Sequence, residues 1–372
     1  MSRTRLLQSS TTPISRLCLP RHSSSSTPTS ILPPSRSWDP RTAFAAATER
    51  VSAGMLSRED AHNLFDELLR QTTPVPERSL NNFFAALARA PSYDDRRIGP
   101  ALALALFDRV WREEAGTRVA QPTVCTYNIV MDCCCRVGRP DLGLAFFGSI
   151  LKTGLKIDLV IATTLLKCLC HAKRTDEAVN VLLHRMPELG CVPGAISYNT
   201  VLKGLCDSRM SQRALDLLQS MAKEGGACSP NVVAYSMVIN GFFREGEIGK
   251  ACSLFHEMIQ QGVVPYVVTY NCMIHAYSTL GRWKEVTRMF REMTMQGLVP
   301  DKFTCSSFMT SLCKHGRSKE AAEIFDSMTA KGLKPDIVLY SILIHGYASE
   351  GCLVDMTSVF NSMKYNGTRS ES

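Results

Sequence analysis

The sequence predicts an all-α protein, an α-solenoid assembled from helix–turn–helix units of about 35 residues. Three observations carry that prediction. Within Val267–Asp301, Tyr270, Met273, Ile274 and Tyr277 fall at i, i+3, i+4 and i+7, and Val286, Met289, Phe290 and Met293 repeat the spacing. Two short helices, each with one apolar face, follow from that pattern. Gly281 stands between them and Gly297 and Pro300 after them, residues that end helices. The frame then recurs. The hydrophobic residue near the end of each second helix is Ile150, Met186, Met221, Met258, Met293, Met328 and Met363, at intervals of 36, 35, 37, 35, 35 and 35. A glycine follows four residues later each time, at Gly154, Gly190, Gly225, Gly262, Gly297, Gly332 and Gly367, and Pro193, Pro230, Pro265, Pro300 and Pro335 mark five boundaries.

Taken in order, residues 1–38 are expected to be an organellar transit peptide rather than folded structure. Arg3, Arg5, Arg16, Arg21 and Arg36 lie among eleven serines, with no acid before Asp39 and no continuous apolar run of the secretory kind. A merely disordered tail is the other reading, and the arginine-rich composition favours a mitochondrial over a plastid address. Residues 39–123 read as degenerate N-terminal helical repeats that cap the array. In them Ser57 and Asp60 form a capping box with Asp in place of Glu, followed by Ala61, Leu64, Phe65 and Leu68 on one face. LNNFFAALARA and ALALALFDRVW then make an imperfect pair around an insertion containing Pro91 and Pro100. Seven regular repeats fill 124–371, at 124–158, 159–194, 195–231, 232–266, 267–301, 302–336 and 337–371.

Composition narrows the function classes. Apolar content of 45% is that of a folded chain, and no run is long enough to span a membrane. Of the net charge of +8, the first 38 residues supply five arginines without an acid, and the remainder carries 37 Lys+Arg against 34 acids. Bulk charge therefore does not identify a polyanion partner. Fifteen cysteines include no C-x-x-C pair, and Cys135, Cys170, Cys206 and Cys313 share one slot of the first helix, which reads as packing in a reducing compartment and not as a metal site.

Tetratricopeptide units, about 34 residues long with a W-L-G-Y signature, do not fit these repeats. The VVTYN openings, EA pairs and GxxPD closes resemble pentatricopeptide repeats (PPRs) of the pure 35-residue type (P-class) over residues 124–371. DAHNLFDELLR, CTYNIVMDCCCRVGRPDLGLAFFG and YNTVLKGLCDSR further resemble the restorer-of-fertility-like subfamily of cereal mitochondria, in a shortened form. The resemblance implies a right-handed superhelix with first helices lining its concave face. It also implies single-stranded RNA of an organelle as partner, bound one base per repeat, with other RNA-processing proteins alongside.

Residue roles follow from the same resemblance. The fifth and last residues of each unit would read a base, namely Asn128 with Asp158, Thr163 with Gly194, Asn199 with Asn231, Ser236 with Tyr266, Asn271 with Asp301, Ser306 with Asp336, and Ser341 with Glu371. The second residues, Cys125, Val160, Ile196, Val233, Val268, Phe303 and Val338, would sandwich bases. Thirteenth residues would meet phosphates, which suits Arg136, Arg244 and Lys314 but not Asp207. Asn, Ser and Thr at the fifth position have a second explanation, since they are also good N-caps for the first helices.

No catalytic constellation accompanies the repeats. No histidine begins H-x-E, C-x-x-C is absent, and no G-x-x-x-x-G-K loop occurs. The last repeat runs to the end of the sequence, so an appended catalytic domain is not expected. Neither an enzyme nor a cofactor is predicted. A helical protein-interaction scaffold with little RNA affinity stays open as the alternative.

Overall fold

Amphipathic spacing becomes burial along the hairpins of the computed structural model, except in the last helix, which has no buried residue among those described; the structure describes residues 39–70, 75–90, 98–114, 121–224, 228–330 and 332–367. The transit-peptide segment 1–38 falls outside those residues, as do Pro91, Gly225 and Glu371. The described chain is all-α, and its residues divide into two compact units, Met1–Val192 and Pro193–Ser372.

In the first unit, α1 (Pro40–Ser52) starts on Asp39, whose carboxylate accepts from the N–H groups of Arg41 and Thr42. Helix α2 (Arg58–Arg70) opens on the expected box: Asp60 N–H donates to Ser57 Oγ at 3.0 Å and Ser57 N–H donates to Asp60 Oδ2 at 3.3 Å. Helix α3 (Glu77–Arg89) and α4 (Ile98–Asp108), which runs on into a π-helical turn at Arg109–Glu114, complete this part. Phe44, Phe65 and Phe83 meet edge to face or tilted at 5.6–5.9 Å and are wholly buried. Three rings in such mutual geometry add about 0.5–1.5 kcal/mol per pair beyond their burial.

The regular hairpins follow as α5 (Val124–Val137) with α6 (Pro140–Thr153), then α7 (Leu159–His171). The partner of α7 is a broken helix made of α8 (Thr175–Asn180), a π-helical stretch Val181–Arg185, and α9 (Met186–Glu188). Pro187 sits in that last segment, so it has no N–H to continue an α-helical ladder, which accounts for a break at this point. Within this unit first helices stack on first helices, α3 on α5 and α5 on α7.

The second unit repeats the scheme. Its first helices are α10 (Ala195–Asp207), α12 (Val232–Glu245), α14 (Val267–Thr279), α16 (Lys302–Cys313) and α18 (Ile337–Ser349), each packed on the next. Its second helices are α11 (Ser211–Glu224), α13 (Ile248–Gln260), α15 (Trp283–Met295), α17 (Ser318–Ala330) and α19 (Leu353–Gly367). The Met stripe is core up to its last member: Met221, Met258 and Met293 are fully buried and Met328 nearly so, whereas Met363 is only half-buried. Each such side chain contributes about 1.5–3 kcal/mol by leaving water.

One turn position recurs in all seven hairpins. The residue ending the first helix region has a left-handed backbone at Gly138, Gly246, Gly281, Gly316 and Gly351, but also at Lys173 (φ 61°) and Arg209 (φ 56°). Glycine adopts that conformation without a Cβ clash, whereas the two long side chains hold it at a cost.

Candidate nucleic-acid interface

The candidate surface is the face of the first helices that carries their second, fifth and thirteenth residues. The second residues are apolar and exposed: Val160 57%, Ile196 76%, Val233 36%, Val268 47%, Phe303 50% and Val338 60%. Cys125 is exposed as well. A single exposed aliphatic residue needs no explanation, but the same register repeated along consecutive helices within each unit is a built stripe. Phe303 also has a neighbour, the His275 ring at 5.5 Å.

The fifth residues lie a turn inside their helices, and N-capping falls to other residues. Asp158, Asn231, Asp301 and Asp336 each precede the next first helix and accept from the N–H three residues on, at 2.8, 3.0, 2.8 and 3.1 Å. Gly194 and Tyr266 occupy the same cap position. The capping role that residue type alone suggested for the fifth position therefore belongs to the closing position, because the helix starts at the unit's first residue and leaves the fifth residue beyond the unpaired N–H groups.

What the fifth residue touches depends on the third residue of the following unit. Asn271, buried, donates from Nδ2 to Asp301 Oδ2 at 3.0 Å, and its Oδ1 accepts from the Thr304 hydroxyl. Ser236 Oγ lies 2.8 Å from Thr269 Oγ1 and donates to the Val232 carbonyl. Asn128 Oδ1 accepts instead from Thr164, at 2.6 Å. Asn199 faces a unit whose third residue is Ala234, and its buried Oδ1 has no hydrogen-bond partner. Thr163, Ser306 and Ser341 donate to carbonyls three or four residues back in their own helices. Thus Asn271 and Asp301 are brought together directly, whereas Asn128 and Asn199 are not bonded to Asp158 and Asn231.

The same lock appears where the sequence suggested only a degenerate cap. Thr126, third residue of its unit, donates to Asn81 Oδ1 at 2.9 Å, and Asn81 is the fifth residue of α3. The signal was present as an Asn five residues into a helix, hidden because the insertion after Arg89 breaks the period.

The cations are less available than their spacing suggested. Arg136 donates to Asp132 at 2.6 Å, and Lys167 from the next first helix reaches the other oxygen of the same carboxylate at 2.5 Å. Burial pushes the Asp132 carboxyl up, but the hydrogen bonds from Lys167 and Arg136 outweigh it and hold the group below the usual carboxylate value. Arg244 pairs with Asp207 across a repeat boundary at 3.2 Å, which gives that acid a structural partner. Lys314 is exposed, and it lines an open groove with Val338, Ser341, Ile342 and His345. Among the described residues no cluster of three or more His, Cys, Asp or Glu is placed to hold a metal, and no helix is long and apolar enough to cross a membrane.

Tandem hairpins with an exposed apolar second residue and a polar fifth residue in each unit define a helical-repeat protein. Models of the PPR repeat family match residues 122–171, 157–207, 265–314 and 303–349, and two PPR repeat models match 227–259 and, in two further places, 196–226 and 338–368. The chain belongs to the pentatricopeptide repeat family. It is 42% identical over 213 residues to Protein Rf1, mitochondrial, of Oryza sativa subsp. indica, covering 57% of this chain and 26% of the rice protein. It is 34% identical over 108 residues to a chloroplastic pentatricopeptide repeat-containing protein of Arabidopsis thaliana, covering 29% and 14% of the two chains. The crystal structure of the pentatricopeptide repeat protein PPR10 from maize superposes with a TM-score of 0.62 at 24% identity, over 90% of this chain and 51% of the maize one, a likeness of fold. The chain thus spans 26% of its rice relative's length and 51% of that maize structure.

Proposed function

We propose that this chain binds single-stranded RNA in mitochondria, one base per repeat, and so controls the processing, stability or translation of an organellar transcript. The observation that carries the reading is the exposed apolar stripe at the second residues, set beside polar fifth residues that packing holds in place. Bases stack on such a stripe for about 1–3 kcal/mol each, by analogy with aromatic platforms. Beside it, the Asn271 amide spends one N–H on Asp301 and keeps the other for a base carbonyl. The buried Asn199 Oδ1 has no partner, and a base N–H would satisfy it once the side chain swings outward. The mitochondrial address rests on the arginine-rich, acid-free start of the chain and on the rice relative's own address.

By the pairing preferences that the family resemblance implies, Asn128/Asp158 and Asn271/Asp301 would read uracil, Asn199/Asn231 a pyrimidine and Ser306/Asp336 guanine, while Thr163/Gly194 and Ser236/Tyr266 would lean to purines. The preferred RNA is therefore U-purine-pyrimidine-purine-U-G, read 5′ to 3′. Binding of that hexamer within a longer single strand tests the assignment, and equal affinity for its scrambled form rejects it. Arg136 and Arg244, two of the three basic thirteenth residues, are already paired with acids, so affinity should fall only gently with salt. The same pairing favours a second reading, a protein-interaction scaffold. Joint replacement of Asn128, Asn199 and Asn271 by Ala separates the two: it removes RNA selectivity under the first and leaves partner binding intact under the second.

A further inference from the structure

The twelfth residue of one first helix faces the tenth residue of the next, and where the twelfth residue is cysteine the tenth is glycine in all cases but one. Cys206 faces Gly241 and Cys313 faces Gly346. A Cβ built on Gly241 would lie 3.2 Å from the Cys206 Cβ and 2.9 Å from its sulfur; on Gly346 the distances to Cys313 would be 2.9 and 2.6 Å. The helices approach so closely there that only glycine fits without movement. One of the cysteine slots lacks its glycine. Opposite Cys135 on α5 stands Cys168 on α7, and the two sulfurs lie 3.3 Å apart, buried inside the first unit.

We propose that Cys135 and Cys168 are a built-in oxidation site, at which a peroxide converts the two thiols into a disulfide that ties α5 to α7. The geometry supports it independently of any RNA. Disulfides hold their Cβ atoms about 3.5–4.5 Å apart, so a slot of this kind, opened by a few tenths of an ångström to admit a second side chain, has the span the bond requires. The neighbouring helix makes room as well: a Cβ on Gly143 of α6 would lie 2.7 Å from the Cys168 sulfur, so the absence of a side chain there is what seats that sulfur.

The chemistry has a direction. The hydrogen bond from Cys168 pulls the Cys135 thiol below its usual value, while the same bond and burial push Cys168 up. Burial also pushes Cys133 up, to about 12, and Cys134 up, so neither neighbour competes as a thiolate. The Cys135 thiolate attacks one peroxide oxygen, forming S–O as O–O breaks, and the departing hydroxide takes a proton to leave as water. The Cys168 thiol then attacks that sulfur; S–S forms, S–O breaks, and the second water leaves with the Cys168 proton. Two thiols lose two hydrogens and two electrons, and one peroxide becomes two waters. Because both sulfurs are buried, the oxidant reaches them only through local opening, and the bond once made is shielded from small thiols in the same way.

The test is a hydrogen peroxide titration of the full chain, followed by alkylation under denaturing conditions and peptide mass mapping. The expected result is one peptide pair joined through Cys168 and a loss of two alkylation sites, reversed by a strong reductant. Cys168→Gly restores the slot found at Gly241 and Gly346; it should keep the helical content and lose the joined pair entirely. Both thiols remaining fully alkylatable at exposures that completely oxidise the exposed Cys125 overturns the proposal, as does an undiminished link in Cys168→Gly.

Discussion

Repeats 195–231 and 267–301 are built from the same plan and differ at three points that matter. In the later repeat Asn271 is held on both sides, by Asp301 and by Thr304 from the next first helix. In the earlier one Asn199 meets Ala234, and its Oδ1 is buried without a partner. The later repeat turns between its helices on Gly281, the earlier on Arg209 with φ 56°. The later closes on Asp301, which both caps a helix and holds the Asn271 amide; the earlier closes on Asn231, whose oxygen caps Ala234 N–H. The comparison teaches that the setting of a fifth residue is made by two repeats and not by one. The side chain comes from one hairpin, but its orientation comes from the third residue of the next.

Exchanging those residues between the two repeats should move the stability of the two in opposite directions. Thr304→Val keeps the shape and removes the hydroxyl, leaving Asn271 Oδ1 in the state of Asn199. Loss of about 1–3 kcal/mol is expected, read as a lower urea midpoint at unchanged m-value. Arg209→Gly relieves the left-handed backbone and should stabilise by about 1 kcal/mol, with Lys173→Gly behaving alike, while Gly281→Arg should destabilise by a similar amount. Thermal unfolding of the three variants checks the sign in each direction.

Ala234→Thr supplies Asn199 with the missing hydroxyl. Thr126, Thr269 and Thr304 are all buried at the equivalent position, so the side chain fits that register. The net gain is about 0.5–1 kcal/mol, since one hydrogen bond is partly offset by the lower helix propensity of Thr; no gain at all would mean that Asn199 is already solvated. Asp301→Asn keeps the cap but loses the acceptor for the Asn271 amide, so a cost of about 0.5–1.5 kcal/mol is expected in urea unfolding. In RNA selectivity, preference for uracil at that position should relax toward pyrimidines in general.

Much of this was legible before any coordinates. Apolar residues at i, i+3, i+4 and i+7 between Gly and Pro punctuation can be satisfied only by short helices that share a face, so the Met stripe had to be core. The Ser57–Asp60 box was legible too, because capping is local. Asn81 was not, since the insertion after Arg89 hid its register. Nor were the ties of Asp132 to Arg136 and Lys167, or of Arg244 to Asp207, because two of those three contacts cross from one first helix to the next.

The sequence by itself determined the repeat, the helices within it and the columns of residues that recur at one register, because helical periodicity and caps act over a few residues. Tertiary structure alone decided which members of a column are alike. Stacking first helix on first helix sets Thr304 against Asn271 but Ala234 opposite Asn199, and Cys168 against Cys135 where its siblings meet glycine. Those pairs lie some 33 to 35 residues apart in the chain. Only the packing of neighbouring helices brings them within reach of a hydrogen bond.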